Sequence, residues 1–258
     1  MKASIKMIVS DLDGTLLRPN KTISDQTKSK LIQCRKAGLK VIYATARGPS
    51  AEKLAPAELF DGKVTMNGAI AVANDTVIYN RIIMNEVVQP FLKACNQRGL
   101  KMVSELGGIH YANYIVSKSW HLNVDTFKVV DFDEHDKDAE KIYMAVRKPE
   151  DLAFVKKHLP DSLYITITRD NFAMIMPKEA TKSKAINTLA QIWSIKSSEI
   201  VAFGDDLNDV DMLTYSGVGV AMENAVDEVK AVADHICKSN IEDGVALWLH
   251  ENVLGAAD

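Results

Sequence analysis

Ser10-Asp11-Leu12-Asp13-Gly14-Thr15-Leu16-Leu17 sets two carboxylates two residues apart, directly after an apolar run from Ile5 to Val9. The run reads as a buried β-strand, and Gly14 lets the chain turn behind the acids. Crowded carboxylates repel one another, and burying them is costly unless a cation or a hydrogen-bond network compensates. A divalent metal is the simplest compensation. Mg²⁺ suits an oxygen-only site, since it keeps several waters and takes few protein carboxylates. For Asp11 to Gly14 alone, a surface turn with two solvated acids competes evenly with the metal reading. The rest of the chain decides between them.

Outward from this stretch, Ser24 to Ala37 has helical spacing, with Ser24 as N-cap and Gly38 just past the end. Leu39 to Ala44 reads as a second strand and ends in Thr45-Ala46-Arg47-Gly48. Pro49 to Leu59 reads as a short helix, and Val64 to Met66 as a third strand ending at Asn67-Gly68-Ala69. This β-α-β-α-β order predicts a parallel sheet with helices on both faces. The pattern changes from about Thr76 to Met176. There the β-like runs are Val77–Tyr79, Lys101–Leu106, Ile109–Tyr114, Ile142–Val146, Leu163–Thr168 and Phe172–Met176, with helices expected at Glu86–Arg98 and Glu150–Leu159. Gly107-Gly108 reads as a turn. The acidic run Asp131–Asp138 reads as a solvated loop. This is an α+β insertion. Alternation returns after Pro177, with a helix at Thr181–Trp193 and a strand at Glu199–Phe203 that ends in Gly204-Asp205-Asp206-Leu207-Asn208-Asp209. Further elements are expected at Val210–Tyr215, Val218–Met222, Val226–Ala233, His235–Cys237 and within Ile241–Val253.

Composition narrows the function classes. The 258 residues carry a net charge of -3 with no basic stripe, which leaves no footprint for nucleic acid. No apolar run is long enough to span a bilayer. Three widely spaced cysteines argue against a disulfide framework and for a reducing compartment. Met1 to Val9 is too short and too Lys-interrupted for a secretory signal. The expectation is a soluble, cytoplasmic protein, and a monomer.

In an open parallel sheet all strands point their carboxyl ends the same way, and ligands bind there. Asp11, Asp13, Thr45, Asp205 and Asp209 would therefore converge on one crevice. Four acids together demand a cation. The Thr45 hydroxyl and the Lys182 ammonium would receive an anion beside it. A metal, anion-binding groups and a free carboxylate point to phosphoryl transfer.

These stretches resemble the motifs of the haloacid dehalogenase (HAD) superfamily. Asp11-Leu12-Asp13-Gly14-Thr15-Leu16 is similar to its first motif, Thr45 to the second, Lys182 to the third and Gly204 to Asp209 to the fourth. The match covers essentially the whole chain. An αβ insertion between the second and third motifs resembles the C2 cap of the Cof-type (IIB) branch, as do Gly219 to Ala225 and Glu242 to Ala246. The resemblance implies an α/β protein: a Rossmann-like core at 1–78 and 179–258 with an inserted α+β cap at 79–178 that supplies specificity. It implies a Mg²⁺-dependent phosphomonoesterase acting on small phosphorylated metabolites, sugar phosphates or similar, through an aspartyl-phosphate. Asp11 would be the nucleophile and Asp13 the acid and base on the leaving oxygen and the water. Asp11, Asp205 and the backbone carbonyl of Asp13 would hold Mg²⁺, with Asp209 supporting the metal from nearby. Thr45, Ala46, Asn208, Lys182 and the amides near Leu12 and Gly14 would bind phosphate oxygens. Arg47 and Asn67 are candidate substrate contacts.

Departures from the family pattern are Ala46 and Glu223, where glycine is usual, and Ser183 after Lys182. A phosphosugar mutase and a non-catalytic phospholigand-binding protein are the alternatives on the same scaffold. The intact set of Asp11, Asp13, Lys182 and Asp205 argues against the second. Asp206 reads as a loop acid. His121 and Trp120 read as insertion residues of open role.

Overall fold

Residues 5–115, 127–167 and 172–255 are described by the computed structural model. Trp120, His121 and Thr168 lie outside the described residues. Met7–Ser10 forms β1 with every residue buried, as an apolar strand covered on both faces requires. Ser24 caps α1 (Asp25–Lys36) by accepting from the Thr27 N–H. Asp25 lies in the first turn and Arg35 and Lys36 in the last, the signs the helix dipole favours. β2 (Lys40–Ala44) and β3 (Gly62–Thr65) follow.

Residues 49–59, expected as one helix, form two 3₁₀ turns, Pro49–Lys53 and Ala57–Leu59. Pro56 separates them: it has no N–H to donate and biases Ala55 away from helix. The strand expected at Val64–Met66 stops at Thr65. Met66 and Asn67 take left-handed backbone, φ 50° and 55°, and the chain reverses into β4 (Ile70–Ala73) and β5 (Thr76–Asn80). β4 was not expected, and 76–80 was expected at the start of the insertion.

The chain divides into two compact units, Met1–Asn80 with Thr181–Asp258, and Arg81–Ala180. The unit at 81–180 contains α2 (Asn85–Gln97), β6 (Met102–Leu106), β7 (Ile109–Ala112), β8 (Phe127–Val129), β9 (Lys141–Ala145), α3 (Pro149–His158), β10 (Leu163–Ile167) and β11 (Phe172–Pro177). Its sheet has the order β10-β11-β9-β6-β7-β8 and is antiparallel except between β7 and β8. Gly107 and Gly108, both at positive φ, turn β6 into β7. Val88, Phe91, Leu92 and Cys95 of α2 and Val155 of α3 pack with Met102, Ile142, Met144 and Ile175. The 131–138 segment carries neither helix nor strand, but it is not wholly solvated, because Phe132 is completely buried.

The first unit resumes with α4 (Lys182–Ile192), β12 (Ile200–Gly204), α5 (Val210–Tyr215), β13 (Val218–Met222), α6 (Asp227–Val232), β14 (His235–Cys237) and α7 (Gly244–Leu249). A π-turn at His250–Leu254 ends the region expected as one helix. The sheet order is β14-β13-β12-β1-β2-β3-β4-β5. It is parallel from β14 to β3 and antiparallel from β3 to β5, so the expected parallel sheet gains a hairpin at one edge. From β1 the chain runs outward one way through β2 and β3, and from β12 the other way through β13 and β14. The crevice at the carboxyl ends of β1 and β12 is therefore the switch point where α/β sheets bind ligands. Among the described residues no helix is long and apolar enough to cross a membrane.

Candidate active site

Asp11 and Asp205 stand at the carboxyl ends of β1 and β12, side by side because the strands pair in parallel register from Met7↔Ile200 to Ser10↔Phe203. The Asp11 N–H donates to the Phe203 carbonyl at 3.0 Å, continuing that ladder one residue further. Lys182 opens α4 and is wholly buried. Its ammonium donates to Asp11 Oδ1 at 2.7 Å and to Asp209 Oδ1 at 2.5 Å. The other Asp209 oxygen accepts from the backbone N–H groups of Asp205 (2.9 Å) and Asp206 (3.1 Å). One carboxylate thus anchors the lysine and shapes the loop that presents Asp205. Asp206, expected as a loop acid, caps the 207–209 turn by accepting from the Leu207 N–H.

The electrostatics follow from burial. Burial alone would lower Lys182, but Asp11 and Asp209 outweigh it and hold the ammonium above its ordinary pKa. Burial pushes Asp11 well up, against the pull of Lys182 and with Asp209 and Asp205 adding to the rise. Asp205 is pushed up to about 7, by burial first and then by the charges of Asp209 and Asp206, while the Thr15 hydroxyl at 2.8 Å works the other way. Carboxylate oxygens of Asp11, Asp205 and Asp209 all lie within 4.8 Å of one another. Hard oxygen donors so close together fit a divalent cation of the Mg²⁺ class. The Asp13 side chain is not in that group; its expected metal contact was its backbone carbonyl.

Asp13 faces two cations. Arg47 grips it with two bonds, Nε to Oδ2 and Nη2 to Oδ1, the latter at 2.8 Å, and Lys21 Nζ reaches Oδ1 at 2.7 Å. Burial would raise the Asp13 carboxyl, but Arg47 and Lys21 overcome it and hold it below the usual range. Asp13 is therefore an anion here, and donating a proton requires it to leave these partners. Arg47, expected at the substrate, is spent on Asp13 in this arrangement. Lys21 was missed. It lies in a turn at φ 62° and belongs to no motif, so the sequence carried no signal for it.

Thr45 is buried at the end of β2, where its hydroxyl accepts from the Arg47 N–H at 3.2 Å across Ala46. The Asn67 N–H donates to the Thr45 carbonyl at 3.0 Å, and Asn208 Nδ2 donates to Asn67 Oδ1 at 3.0 Å. The second and fourth motif loops are thus joined through Asn67. Gly68, at φ +100°, lies so close to α4 that a Cβ would fall 2.1 Å from the Thr181 carbonyl carbon. This close approach seats Lys182 beside the β3 turn.

Leu12 is fully buried, and its carbonyl accepts from the N–H groups of Leu17 and Thr15. Gly14 follows at φ +83°, where a Cβ would lie 2.2 Å from Asp205 Oδ2. Gly14→Ala is expected to displace Asp205 and strain the turn, lowering catalytic efficiency by about 100-fold and stability by about 1–3 kcal/mol. Steady-state kinetics and urea unfolding measure the two effects.

A family model described as haloacid dehalogenase-like hydrolase matches residues 8–249. The Bacillus subtilis protein YitU, named a 5-amino-6-(5-phospho-D-ribitylamino)uracil phosphatase, is 27% identical over 97% of this chain and 98% of its own. Among solved structures, the phosphatase BT1666 of Bacteroides thetaiotaomicron has a TM-score of 0.85 at 27% identity, covering 96% of this chain and 95% of that one. BT4131, titled a HAD subclass IIB sugar phosphatase, has a TM-score of 0.80 at 28% identity, covering 95% and 98%. A buried lysine between two aspartates at the sheet's switch point, in a chain matched along nearly its whole length, makes this protein a member of the haloacid dehalogenase-like hydrolases, a phosphatase of their Cof-type branch.

Proposed function

We propose that this phosphatase is a Mg²⁺-dependent phosphomonoesterase of small phosphorylated metabolites, sugar phosphates foremost, that carries the phosphoryl group on Asp11. The observation supporting this reading is the Lys182 ammonium held between Asp11 and Asp209 beside Asp205. Lys182 fixes one Asp11 oxygen and leaves the other for attack. That oxygen forms a bond to phosphorus as the bond from phosphorus to the leaving oxygen breaks. Asp13, released from Arg47 and Lys21 and protonated, gives its proton to the leaving oxygen. It then takes a proton from the water that attacks phosphorus and restores the Asp11 carboxylate. Thr45, Asn208, Lys182 and the amides near Leu12 and Gly14 would hold the phosphate oxygens. Asp11, Asp205 and the Asp13 carbonyl would hold the metal, backed by Asp209; when bound, it supplies positive charge that lets a carboxylate anion approach a phosphate dianion.

The substrate class rests on the relatives. One is named for a phosphorylated ribityl compound, and one neighbour is titled a sugar phosphatase. We read the unit at 81–180 as the one that selects among esters. Its sheet carries the buried groups Glu105 and Lys141, directly paired across β6 and β9, with His110 opposite Glu105 on β7.

Inorganic phosphate release across a panel of sugar phosphates, ribityl phosphates, pyridoxal 5′-phosphate and nucleoside monophosphates tests the proposal. Release is expected with Mg²⁺ and is expected to stop when a chelator is added. Undiminished release in chelator contradicts the metal's role. Isomerised ester from a hexose 1-phosphate, in place of inorganic phosphate, contradicts hydrolysis.

A further inference from the structure

The segment from Asp13 to Thr22 belongs to no helix or strand, yet it carries both Asp13 and the Lys21 that pairs with it. Its own backbone bonds are few. The Thr15 and Leu17 N–H groups donate to the Leu12 carbonyl at 3.4 and 2.7 Å, Arg18 N–H to the Thr22 carbonyl at 3.0 Å and Lys21 N–H to the Arg18 carbonyl at 2.8 Å. Leu17 is bridged to Asp13, so whatever fixes Leu17 fixes the backbone of the acid. Leu16 and Leu17 anchor it in the core and Thr15 Oγ1 donates to Asp205 Oδ1 at 2.8 Å; beyond these, its backbone and its charged end are held by side chains some two hundred residues further along. Asn224 Nδ2 donates to the Gly14 carbonyl at 2.8 Å. Asn240 Nδ2 donates to the Leu17 carbonyl at 2.7 Å. Asp243 Oδ2 accepts from Arg18 Nη2 at 2.8 Å.

Asn224 and Asn240 are themselves linked, and Asp243 is anchored separately. The Asn240 N–H donates to Asn224 Oδ1 at 3.1 Å, so the Asn224 amide donates to the segment and accepts from Asn240. Asp243 takes left-handed backbone at φ 59° and accepts from Thr27 Oγ1 at 3.4 Å, which ties it to the start of α1. Gly244 makes that turn feasible, because a Cβ there would fall 1.8 Å from the Lys238 carbonyl oxygen. The reaction scheme uses none of these groups. Asn224 is exposed and Asn240 half-buried, so neither fills the core. The Gly14 and Leu17 carbonyls that accept and the Arg18 guanidinium that donates all lie within Gly14–Arg18, just after Asp13 in the chain.

We propose that Asn224, Asn240 and Asp243 are positioning residues for Asp13, a clamp that holds the segment bearing the acid–base carboxylate at the height of the scissile ester. The inference rests on the reading of Asp13 as the acid–base group. A carboxylate held through a loop loses efficiency steeply when the loop shifts, because proton transfer needs hydrogen-bond reach to the leaving oxygen.

The test separates positioning from folding. The value of kcat/KM covers the steps up to departure of the leaving group. An alkoxide leaves only with a proton, whereas para-nitrophenolate leaves without one. The ratio of kcat/KM for the best alkyl ester of the panel to that for para-nitrophenyl phosphate therefore reads the placement of Asp13. It does not read the fraction of folded enzyme. The ratio is expected to fall about tenfold in Asn240→Ala, and further in Asn224→Ala/Asn240→Ala. Asp13→Asn should lower it more than either. Equal losses on both esters, or no change in the ratio, overturn the clamp. If Asp13→Asn leaves the ratio intact, the acid–base reading of Asp13 fails and the clamp with it. If the wild type releases phosphate from no ester, the catalytic scheme itself fails.

Discussion

Asp11→Asn should lower kcat by at least about 10⁴-fold, as loss of a covalent nucleophile does elsewhere, while the protein stays folded. The amide keeps the size of the carboxylate, and its oxygen still accepts from Lys182, which donates to Asp11 Oδ1 at 2.7 Å. It no longer has a charged oxygen to give to phosphorus. The structural cost is small because burial already disfavours the Asp11 anion and Asp209 and Asp205 repel it. Lys182 retains Asp209 as a charged partner. Urea unfolding is expected to place the variant within about 1 kcal/mol of the wild type. A variant that unfolds would instead make Asp11 part of the scaffold, and one that retains turnover would move the nucleophile elsewhere.

Lys182→Met should be the opposite case, costly to stability as well as to activity. Methionine fills the space of the lysine stem but leaves Asp11 and Asp209 buried with no cation between them. Removing one partner of a buried ion pair costs about 3–5 kcal/mol, since the charge left behind has no solvent to return to. The same change frees the Asp11 oxygen that the ammonium holds in place. A drop in the denaturant midpoint together with a loss of kcat is therefore expected. Lys182→Met/Asp209→Asn should recover at least about 1 kcal/mol, because it removes one of the stranded charges. Strict additivity of the two changes would mean the pair does not interact.

The parts of this molecule legible in the sequence are those in which one element carries its own instructions. Met7–Ser10 and Ile200–Gly204 are apolar runs buried throughout, and Ser24 with Gly38 marks both ends of α1. Their polar ends, Asp11 and Asp205, follow at once from the parallel pairing. The hairpin from β3 through β5 was not legible. Asn67-Gly68 reads as the end of a strand, with a turn role nearly as good a reading as a substrate contact at Asn67, and nothing between Ile70 and Ala73 announces reversal. Pro56 breaks the 49–59 segment into 3₁₀ turns through its backbone, which helical spacing alone does not register. The environment of Asp13 depended on pairs remote in sequence. Arg47 meets it across the sheet and Lys21 across a turn. Asn224 and Asn240, the second of them outside the stretches singled out by resemblance, fasten the segment that carries it.

The central claim is that the phosphoryl group passes through Asp11. The most direct measurement mixes the protein with Mg²⁺ and the fastest ester of the panel, quenches in acid within one turnover, and maps phosphoryl mass by peptide mass spectrometry. The account predicts the added mass on the peptide containing Asp11, at that residue, rising and falling as phosphate is released, and absent in Asp11→Asn. Phosphate release at the wild-type rate with no phosphoryl group on Asp11 at any time would contradict it, and would mean that water attacks the ester directly.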